Sequence, residues 1–432
     1  MADRSIMWFR RDLRVDDHPA LAEACAVGEV LPLFVVDPAF ASAGQPRRAL
    51  LHDCLAALRD ATGGALVLRH GDPVDIITGV AEEVGATTVY VSKDAGPYGR
   101  ARDAAVADAL RAGGRRLRGV GSPYAVEPGT VRKDDGGAYA VFTPFSKRWR
   151  ATGWADPIDA PADPGWIEAP SDPLPERPEI ELEVPDPAAA GARWQEFRAA
   201  GLDGYADRRD LPAVDGTSRL SPLLKYGVLH PRRLLVESDP SIDGHRVFQS
   251  ELAWRDFYAD VLLRRPDTAW ENLDRRFDRI DLDTGAAART KFERWCEGRT
   301  GFPIVDAGMR QLATTGWMHN RVRMIVASFL VKDLHLPWQW GARWFMQHLL
   351  DGDLASNNHG WQWAAGTGTD ASPYFRVFNP TAQQERWDPT GEYVRRWIPE
   401  LDSSDYPAPM VDHAAERREA LARYQAVKAA AR

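Results

Sequence analysis

Side chains able to do chemistry are densest between Asp351 and Trp363. These thirteen residues include two aspartates, two asparagines, a histidine and two tryptophans. Large aromatic side chains belong in protein interiors, and carboxylates or amides are buried only where another group pairs with them. Two interpretations fit this composition. The stretch is either a polar loop that caps a helical core or part of a cofactor cavity with aromatic walls and amide hydrogen-bond partners.

A second group of polar residues lies in GTSRLSPLLKYG (216–227), ahead of an apolar helical pattern. The hydroxyl groups of Thr217, Ser218 and Ser221 could cap this helix by accepting hydrogen bonds from its free amides. The same amides and hydroxyls, with Arg219 beside them, would also make a site for a phosphate group. Both interpretations stay open on these residues alone.

Two more helical stretches combine polar and aromatic side chains. Glu251 and Trp254 are three residues apart in FQSELAWRDFY (248–258) and therefore share a helix face, either as a partly exposed acid near a core aromatic or as a functional pair. A second common face, in GWMHNRVRM (316–324), carries Trp317, Asn320 and Met324. Arg323 lies one residue beside it and could pair with a buried acid such as Asp351.

The residues before position 123 predict the framework for these side chains, because short apolar runs alternate with helical patterns. The apolar runs that indicate β-strands are 5–9, 30–37, 65–70, 87–92 and 115–120. The helical patterns are 19–27, 47–61, 73–84 and 99–112. This alternation predicts a doubly wound parallel sheet, which binds ligands at the carboxyl ends of its strands. Neither a GxGxxG nor a P-loop motif occurs there, so the two common nucleotide-binding loops have no support.

The composition changes twice further along the chain. Proline, glycine and acidic residues break the pattern over 126–200, which predicts a surface connector between domains. Its basic run FSKRWR (145–150) is either an ordered turn or a solvated run of charge. Eleven of the 16 tryptophans then fall between 254 and 397. The helical patterns of this part are 191–200, 221–236, 246–264, 288–297, 303–315, 318–334, 340–350 and 390–397, so we predict an all-α domain.

Overall composition excludes several classes of protein. With 432 residues, 44% hydrophobic and 27% charged, the chain has the profile of a globular protein with a large core. No apolar run approaches the 18 residues or so that a membrane helix needs, and the charged N-terminus lacks the apolar core of a signal peptide, so we expect a cytoplasmic location. The three separated cysteines predict reduced thiols and no metal site. A net charge of -8 means that a nucleic-acid partner would need a local basic patch.

In five segments, the chain resembles the photolyase/cryptochrome family of flavoproteins. These segments, in the family's order and spacing, are WFRRDLRVDDHPAL, TSRLSPLLKYG, ELAWRDFY, GWMHNRVRM and DGDLASNNHGWQWAAGTGTD. The match runs from residue 7 to about 413, and within the family the chain is most similar to the class I enzymes that repair cyclobutane pyrimidine dimers in DNA. The resemblance implies an antenna-binding Rossmann-like α/β domain (1–125) with a five-stranded parallel sheet, a connector (126–200) and a helical FAD- and DNA-binding domain (201–432).

The resemblance also implies how FAD would be bound. The implied FAD contacts are Tyr205, Thr217, Ser218, Arg219, Leu220, Ser221, Phe248, Arg255, Asn320, Arg323, Asp351, Asp353 and Asn357. The segment around Thr217 would hold the diphosphate, and Asn357 would face N5 of the flavin ring. An amide can donate and accept hydrogen bonds, so it suits both the neutral and the anionic reduced flavin.

Catalysis and DNA binding are implied in the same way. The implied catalytic residues are Glu251, Asn320, Trp338, Trp361 and Asn357, and the implied substrate contacts are Arg209, Glu251, Trp254, Arg321, Met324 and Trp363. Trp254 and Trp363 would form a wedge against a pyrimidine dimer flipped out of the DNA, and Glu251 would bond its edge. Arg209 and Arg321 would meet DNA phosphates. Excited, fully reduced FAD would give an electron to the dimer and recover it after the ring splits.

An antenna pigment would occupy the N-terminal domain. Arg47, Asp94 and Lys225 match the positions of the branch that uses 8-hydroxy-5-deazaflavin, which we therefore expect. Methenyltetrahydrofolate is the alternative, although the carboxylate of the folate-binding branch has no clear match in 93–103.

Two positions depart from the family pattern. The family relays electrons to the flavin through three tryptophans, and Trp361 and Trp338 match the first two. The third falls at or near Gly285, in a stretch (279–290) without any aromatic residue, so photoreduction by that route is in doubt. His359 replaces the glycine that more often follows the paired asparagines, and it is either a surface histidine or a new polar group near the flavin edge.

Three other functions were weighed against dimer repair. A cryptochrome photoreceptor is disfavoured by Asn357, by the complete set of Glu251, Trp254 and Trp363, and by the short stretch of about 20 residues after His413. A (6-4) photolyase is disfavoured because Asn320 and Met324 resemble the dimer-specific pocket and not the histidine pair that the (6-4) chemistry uses. A non-catalytic helical scaffold would leave the paired amides and tryptophans unexplained. We expect a monomer that binds damaged DNA, single- or double-stranded, and no membrane.

Overall fold

The computed structural model describes residues 3–184, 186–371, 373 and 376–430. Its N-terminal part contains a five-stranded, entirely parallel sheet with strand order β3-β2-β1-β4-β5. The strands are β1 (Asp3–Phe9), β2 (Gly28–Val36), β3 (Val67–His70), β4 (Thr88–Val91) and β5 (Arg116–Gly119). This order places β1 and β4 side by side at the point where the chain changes direction across the sheet. The predicted doubly wound sheet is therefore confirmed.

Helices cover both faces of the sheet, as the apolar strands require. They are α1 (Pro19–Val27), α2 (Gln45–Ala61), α3 (Pro73–Glu83) and α4 (Pro97–Ala112). Successive strand residues point to opposite faces, so Met7 and Phe9 pack with α1 and α2, whereas Ile6 and Trp8 pack with α3 and α4. The first of these two cores also contains Tyr226 from the helical domain, whose hydroxyl donates to the carbonyl of Arg47 at 2.7 Å. The helical domain is thus docked against α2.

Part of the region predicted as a connector is built into the helical core. The basic run 145–150 lies in helix α5 (Phe142–Thr152), whose Phe145 and Trp149 are buried, so the solvated run of charge is wrong. The carboxylate of Asp256 fixes this region by accepting bonds from the Val126 amide and the Trp149 indole, each at 2.9 Å. Regular elements are absent from the described residues of 153–186, except for an isolated bridge between Val30 and Trp166.

The helical domain has thirteen further α-helices within the described residues. They are α6 (Ala190–Ala200), α7 (Tyr205–Arg208), α8 (Ser221–Tyr226), α9 (Pro231–Val236), α10 (Asp243–Arg264), α11 (Gly285–Cys296), α12 (Pro303–Thr315), α13 (Asn320–Ser328), α14 (Trp338–His348), α15 (Leu354–Ala365), α16 (Pro380–Trp387), α17 (Glu392–Trp397) and α18 (His413–Ala430). The helix predicted over 221–236 is two helices, because Gly227 adopts a left-handed φ of 67° and lies against the backbone of Arg11. Trp317 precedes α13, so only Asn320 and Met324 of the predicted face are helical.

The chemistry-rich stretch 351–363 is helical from Leu354 onward. The Asp353 side chain accepts a hydrogen bond from the Ser356 amide at 3.0 Å and starts α15 there. The interpretation of this stretch as a polar loop is therefore wrong. Helix α15 packs against α10, α13 and α14, which places its asparagines and tryptophans in the middle of the domain.

Candidate functional site

Three helices of the domain meet at one buried ion pair. The Arg323 guanidinium donates two bonds to the Asp351 carboxylate, at 3.1 and 2.9 Å, as the sequence predicted. The Ser221 hydroxyl donates to the same carboxylate at 2.6 Å. Asp351 follows α14, Arg323 lies in α13 and Ser221 starts α8, so this node fixes α8 relative to the core. The Asp351 side chain is only 6% exposed, and the two-bond geometry supplies the partner that a buried charge needs.

The backbone ahead of α8 has a conformation that leaves helix amides available. Arg219 adopts a left-handed φ of 55°, which is uncommon for a residue with a side chain. Among the described residues, the Ser218 hydroxyl accepts a hydrogen bond from the Leu220 amide at 3.4 Å just ahead of α8, but the N-cap residue Leu220 supplies no side-chain cap, so the N-cap interpretation is wrong for Thr217 and Ser221. Arg193 of α6 supports the segment by donating to the carbonyls of Ser218 and Thr217, at 3.2 and 3.5 Å. Uncapped amides with adjacent hydroxyl groups can bind phosphate oxygens.

The paired asparagines of α15 are held in defined orientations. Asn357 Nδ2 donates to the Ala342 carbonyl at 3.1 Å and to Asn358 Oδ1 at 2.7 Å. Because carbonyl oxygens only accept hydrogen bonds, this arrangement fixes the amide of Asn357 and leaves its Oδ1 as the group presented to a ligand. Asn358 is buried and donates to the Ala269 carbonyl. Asn357 can therefore accept a bond from an N–H group, such as N5–H of a reduced flavin.

The predicted relay tryptophans are both buried in the helical core. Trp361 follows Asn357 by one helical turn, and its ring packs so closely on Gly341 that an added Cβ would lie 2.1 Å from the ring. Among the described residues its indole N–H has no hydrogen-bond partner. Trp338 donates its indole N–H to Asn272 Oδ1 at 2.9 Å. Gly285 is exposed at the first residue of α11, where open space surrounds it.

The implied DNA-contacting residues form a row of alternating charges. The Arg209 guanidinium lies 2.6 Å from Glu251 Oε1, and the Arg321 guanidinium donates two bonds to Asp210, at 3.2 and 2.7 Å. The Arg321 guanidinium also lies 4.5 Å from the ring centroid of Trp387. Both arginines are thus positioned by acids in the protein without DNA.

The two wedge tryptophans occupy different settings. Trp254 of α10 is half-buried and stacks on Phe142 of α5, with 3.7 Å between ring centroids and 7° between ring planes. Trp363 is half-buried and packs against the core that contains Trp361. Met324 and Asn320 lie on α13, where Asn320 is exposed. A stacked ring such as Trp254 is held in one orientation before any ligand arrives.

Three of the implied FAD contacts have structural roles in this chain. Tyr205 and Phe248 contact each other edge to face at 5.5 Å within a buried aromatic cluster. Arg255 donates to the carbonyls of Pro123 and Leu224, at 2.7 and 3.0 Å, and lies 4.4 Å from the Tyr124 ring centroid. Direct contact of these three residues with a cofactor stays a prediction.

The implied antenna residues converge at the carboxyl ends of β1 and β4. Asp94 follows β4 and accepts a bond from the Gly96 amide at 2.9 Å. Burial and the nearby cations Arg11 and Arg47 lower the pKa of Lys225 to about 7. Arg47 has a buried Nε that, among the described residues, lacks a hydrogen-bond partner. These groups place positive charge and an unused hydrogen-bond donor beside β1 and β4, where the strand order changes direction. Folds with such a sheet bind ligands at this point.

Asp353 links Arg11, which follows β1, to the start of helix α15. Burial alone would raise the pKa of its carboxyl group, but the ion pair with Arg11 and the bond from the Ser356 amide hold that pKa well below its usual range. Asp353 is therefore ionised at neutral pH. Arg11 lies within the WFRRDLR motif, which could have identified it, although nothing in the sequence indicated its partner.

His359 is not at the surface, so that alternative is wrong. Its Nδ1 donates to the Ala355 carbonyl at 2.8 Å, its Nε2 lies 2.9 Å from the Thr268 hydroxyl oxygen, and its ring stacks on Tyr258. Burial lowers its pKa to about 4. His359 is thus a neutral core residue at physiological pH.

Several supporting residues were not predicted from the sequence. Asp210 orients Arg321, Phe142 stacks on Trp254, and Arg193 supports the segment before α8. His319 accepts a bond from the Arg321 amide through Nδ1, so its buried Nε2 carries the proton, and among the described residues that atom has no partner. The contacts of Asp210, Phe142 and Arg193 have no spacing signal, because their partners come from different elements.

One cavity of the described structure lies away from the predicted site residues. A cavity of about 720 Å³ lies between residues 61–67 and 160–171, and none of the predicted site residues lines it. Among the described residues, no cluster of three or more histidines, cysteines or acids is arranged to hold a metal ion. No helix in the described ranges has the length and apolar character needed to cross a membrane.

Comparisons with known proteins cover the whole chain. Residues 5–164 match the family model described as DNA photolyase, and residues 248–426 match the one described as the FAD binding domain of DNA photolyase. The chain is 40% identical to a deoxyribodipyrimidine photo-lyase of Halobacterium salinarum, over 97% of this chain and 98% of that protein. It is 42% identical to one of Thermus thermophilus, over 96% of this chain and 97% of that protein.

Solved structures show the same likeness. A bacterial class III photolyase from Agrobacterium tumefaciens superposes with a TM-score of 0.89 at 36% identity, covering 99% of this chain and 98% of that chain. An archaeal photolyase from Sulfolobus tokodaii, which holds two FAD molecules, gives a TM-score of 0.87 at 28% identity, covering 98% of this chain and 99% of that chain.

Proposed function

The chain belongs to the DNA photolyase family, and from this membership we propose that it is a deoxyribodipyrimidine photo-lyase that uses light to split cyclobutane pyrimidine dimers in DNA. The observation that carries the proposal is the full-length likeness to relatives named for this activity. The enzyme contains an FAD-binding domain and acts on DNA. We further propose that it works as a cytoplasmic monomer.

The donors and acceptors of the site fit FAD. The uncapped amides at the start of α8, with Thr217 and Ser218, would hold the diphosphate, and the Arg323–Asp351 pair would hold that segment in place. Asn357 Oδ1 offers an acceptor for N5–H of the flavin, and the buried indole N–H of Trp361 is an unused donor one turn away. When bound and fully reduced, FAD supplies the light-driven electron that opens the dimer.

The protein's own residues would position the dimer and stabilise charge on it. Trp254 presents a preoriented ring on which flipped pyrimidines stack, and Trp363 forms the other side of the proposed wedge. A DNA phosphate would replace Glu251 as the ion-pair partner of Arg209. Glu251 would then be free to form a hydrogen bond with the edge of the pyrimidine. Arg321 would bind a second phosphate, while Asn320 and Met324 contact the dimer. The site would exclude water between these groups and the flavin.

The proposal also includes the identity of an antenna pigment. We propose 8-hydroxy-5-deazaflavin, whose acidic hydroxyl group would be received by Lys225 and Arg47. Methenyltetrahydrofolate is the alternative, and a second FAD is another, as in the Sulfolobus protein. Adding each pigment to purified enzyme distinguishes them. Quenching of deazaflavin fluorescence in the wild type, but not in Asp94→Asn, is the expected result, whereas quenching of the folate alone would contradict it.

Repair is tested directly on ultraviolet-irradiated oligothymidylate. The purified, reduced enzyme should restore thymine absorbance under blue light and not in darkness. Glu251→Gln should slow repair while retaining FAD. If FAD is bound but light restores no absorbance, dimer repair is refuted, and the (6-4) photoproduct becomes the next substrate to test.

A further inference from the structure

We propose that electrons reach the flavin of this chain through Trp295 and the surface pair Trp340 and Trp344, not through the position of Gly285. The inference rests on the proposed FAD site, because the route begins at Trp361 beside Asn357. It goes beyond that site by assigning a role to a branch of aromatic residues that leaves Trp361 in another direction.

The route through Trp338 has no side chain at its outer end. Gly285 starts α11 in a left-handed conformation with φ of 79°, and nothing lies within 4 Å of where its Cβ would be. No aromatic residue occurs from 279 to 290. Residue 285 therefore has no aromatic ring that could pass an electron from the surface to Trp338.

A second branch of ring contacts connects Trp361 to the surface. Trp295 meets Trp361 edge to face, with 6.1 Å between ring centroids. Phe292 stacks on Trp295 at 5.7 Å and an interplanar angle of 19°. Phe292 in turn meets Trp340 at 5.4 Å and Trp344 at 6.3 Å. Each step is a direct ring contact, with Phe292 bridging the inner and outer tryptophans.

Burial along this branch suits directional transfer. Trp295 is 0% exposed and donates its indole N–H to the Val326 carbonyl at 3.2 Å. A carbonyl oxygen is too weakly basic to take the proton, so oxidised Trp295 keeps its charge and can accept an electron quickly. Trp340 and Trp344 are half-buried, and after oxidation they can lose the indole proton to water. Loss of this proton leaves a neutral tryptophan radical at the surface, far from the flavin, and so slows the return of the electron from the flavin.

Nearby cations favour this branch over a route through Trp270. Trp270 is 39% exposed, but the Arg343 guanidinium lies 5.1 Å from its ring centroid. A cation over a ring is stabilised by the ring's electrons, so removing one of those electrons becomes harder. Among the cation–ring contacts of the described residues, none involves Trp295, Trp340 or Trp344.

The electrons balance with an external thiol as reductant. Trp361 loses one electron to the light-excited oxidised flavin and regains one from Trp295. Trp340 or Trp344 then replaces the electron lost by Trp295, releases a proton to water, and is restored by a thiol. Two such turns convert FAD and two thiols into FADH⁻, one disulfide and one proton.

The test is the rate at which light reduces oxidised FAD in the purified holoenzyme with added thiol. Trp295→Phe should slow the reduction at least about tenfold, which corresponds to about 1.4 kcal/mol of barrier. The double variant Trp340→Phe/Trp344→Phe should do the same and carries little folding risk because both residues lie at the surface. Trp270→Phe is the matched control: this tryptophan is exposed and lies under the Arg343 guanidinium, so the rate should stay close to that of the wild type. Time-resolved spectra should show a long-lived deprotonated tryptophan radical in the wild type but not in the double variant.

Two additional measurements separate this inference from the FAD site itself. Bound FAD is quantified by its absorbance, and dimer repair is measured with chemically reduced enzyme, which bypasses the route. Normal FAD content and repair with unchanged photoreduction in the double variant would overturn the branch. Loss of photoreduction in the Trp270→Phe control, or a wild type that light cannot reduce, would also overturn it. Absence of FAD from the wild type would instead refute the proposed cofactor site.

Discussion

Replacing Trp254 by alanine should weaken binding to dimer-containing DNA while FAD stays bound. Stacking of one base on an aromatic side chain is worth about 1–3 kcal/mol, which predicts a loss of about 5- to 150-fold in affinity. The upper half of that range is expected because the stack on Phe142, at 3.7 Å and 7°, already holds the ring in place. Little ordering of this side chain then opposes binding.

The assay is fluorescence anisotropy on two oligonucleotides that differ only in a single thymine dimer. Affinity for the damaged strand should fall, whereas affinity for the undamaged strand, which depends on phosphate contacts, should change little. Trp270→Ala is the matched control, since Trp270 is exposed and no prediction places it at the DNA. FAD absorbance checks that the core is intact.

The contact with Phe142 supplies a sharper criterion. Phe142→Leu removes the stacking partner, so its effect on dimer affinity should be smaller than that of Trp254→Ala and not additive with it. Unchanged affinity for the dimer in Trp254→Ala, with FAD bound, would refute the wedge. Additive losses would show that Phe142 does not act through Trp254.

Three other predictions follow from the charged groups. Arg321→Gln should lower the slope of log affinity against log salt concentration by about one, because one phosphate contact is lost. The slope is measured by titrating undamaged DNA at several salt concentrations, and an unchanged slope would contradict this contact. Asp351→Ala should lower the free energy of unfolding in urea by about 3 kcal/mol. This is the low end for breaking a buried ion pair, because the side chain of Arg323 is 24% exposed. An unchanged urea midpoint would contradict the stabilising role of the Arg323–Asp351 pair. The pKa of His359 falls from 6.5 to about 4 on folding, so the unfolded state binds the proton more strongly than the folded state. Up to about 3 kcal/mol of folding stability is therefore lost as the pH drops from 6.5 to 4. His359→Gln should flatten the urea midpoint between pH 6.5 and 4, and an equally steep profile would show that other groups dominate.

The charge row bears on how the enzyme meets DNA. Arg209 and Arg321 are each paired with an acid, so neither arginine has to be ordered when a phosphate arrives. The exchange of Glu251 for a phosphate on Arg209 would leave Glu251 beside the flipped dimer. Binding of the DNA backbone and presentation of the acid to the substrate would thereby be coupled through one ion pair.

Local sequence determined the framework of this protein. All five strands and most of the predicted helices are where the periodicity of apolar residues placed them, because side-chain alternation depends only on near neighbours. The Arg323–Asp351 pair was also predicted, since a buried acid needs a cation and Arg323 stands beside the face that carries Asn320.

Tertiary structure decided the parts that depend on distant partners. Asn357, Asn358 and Gly360 are weak helix formers, yet α15 forms, because Asp353 caps it and α10, α13 and α14 pack around it. Packing likewise buried His359. The stack of Phe142 on Trp254 and the contact of Trp295 with Trp361 join residues separated by more than sixty positions. No local pattern encodes such contacts, because they exist only once separate helices have packed together.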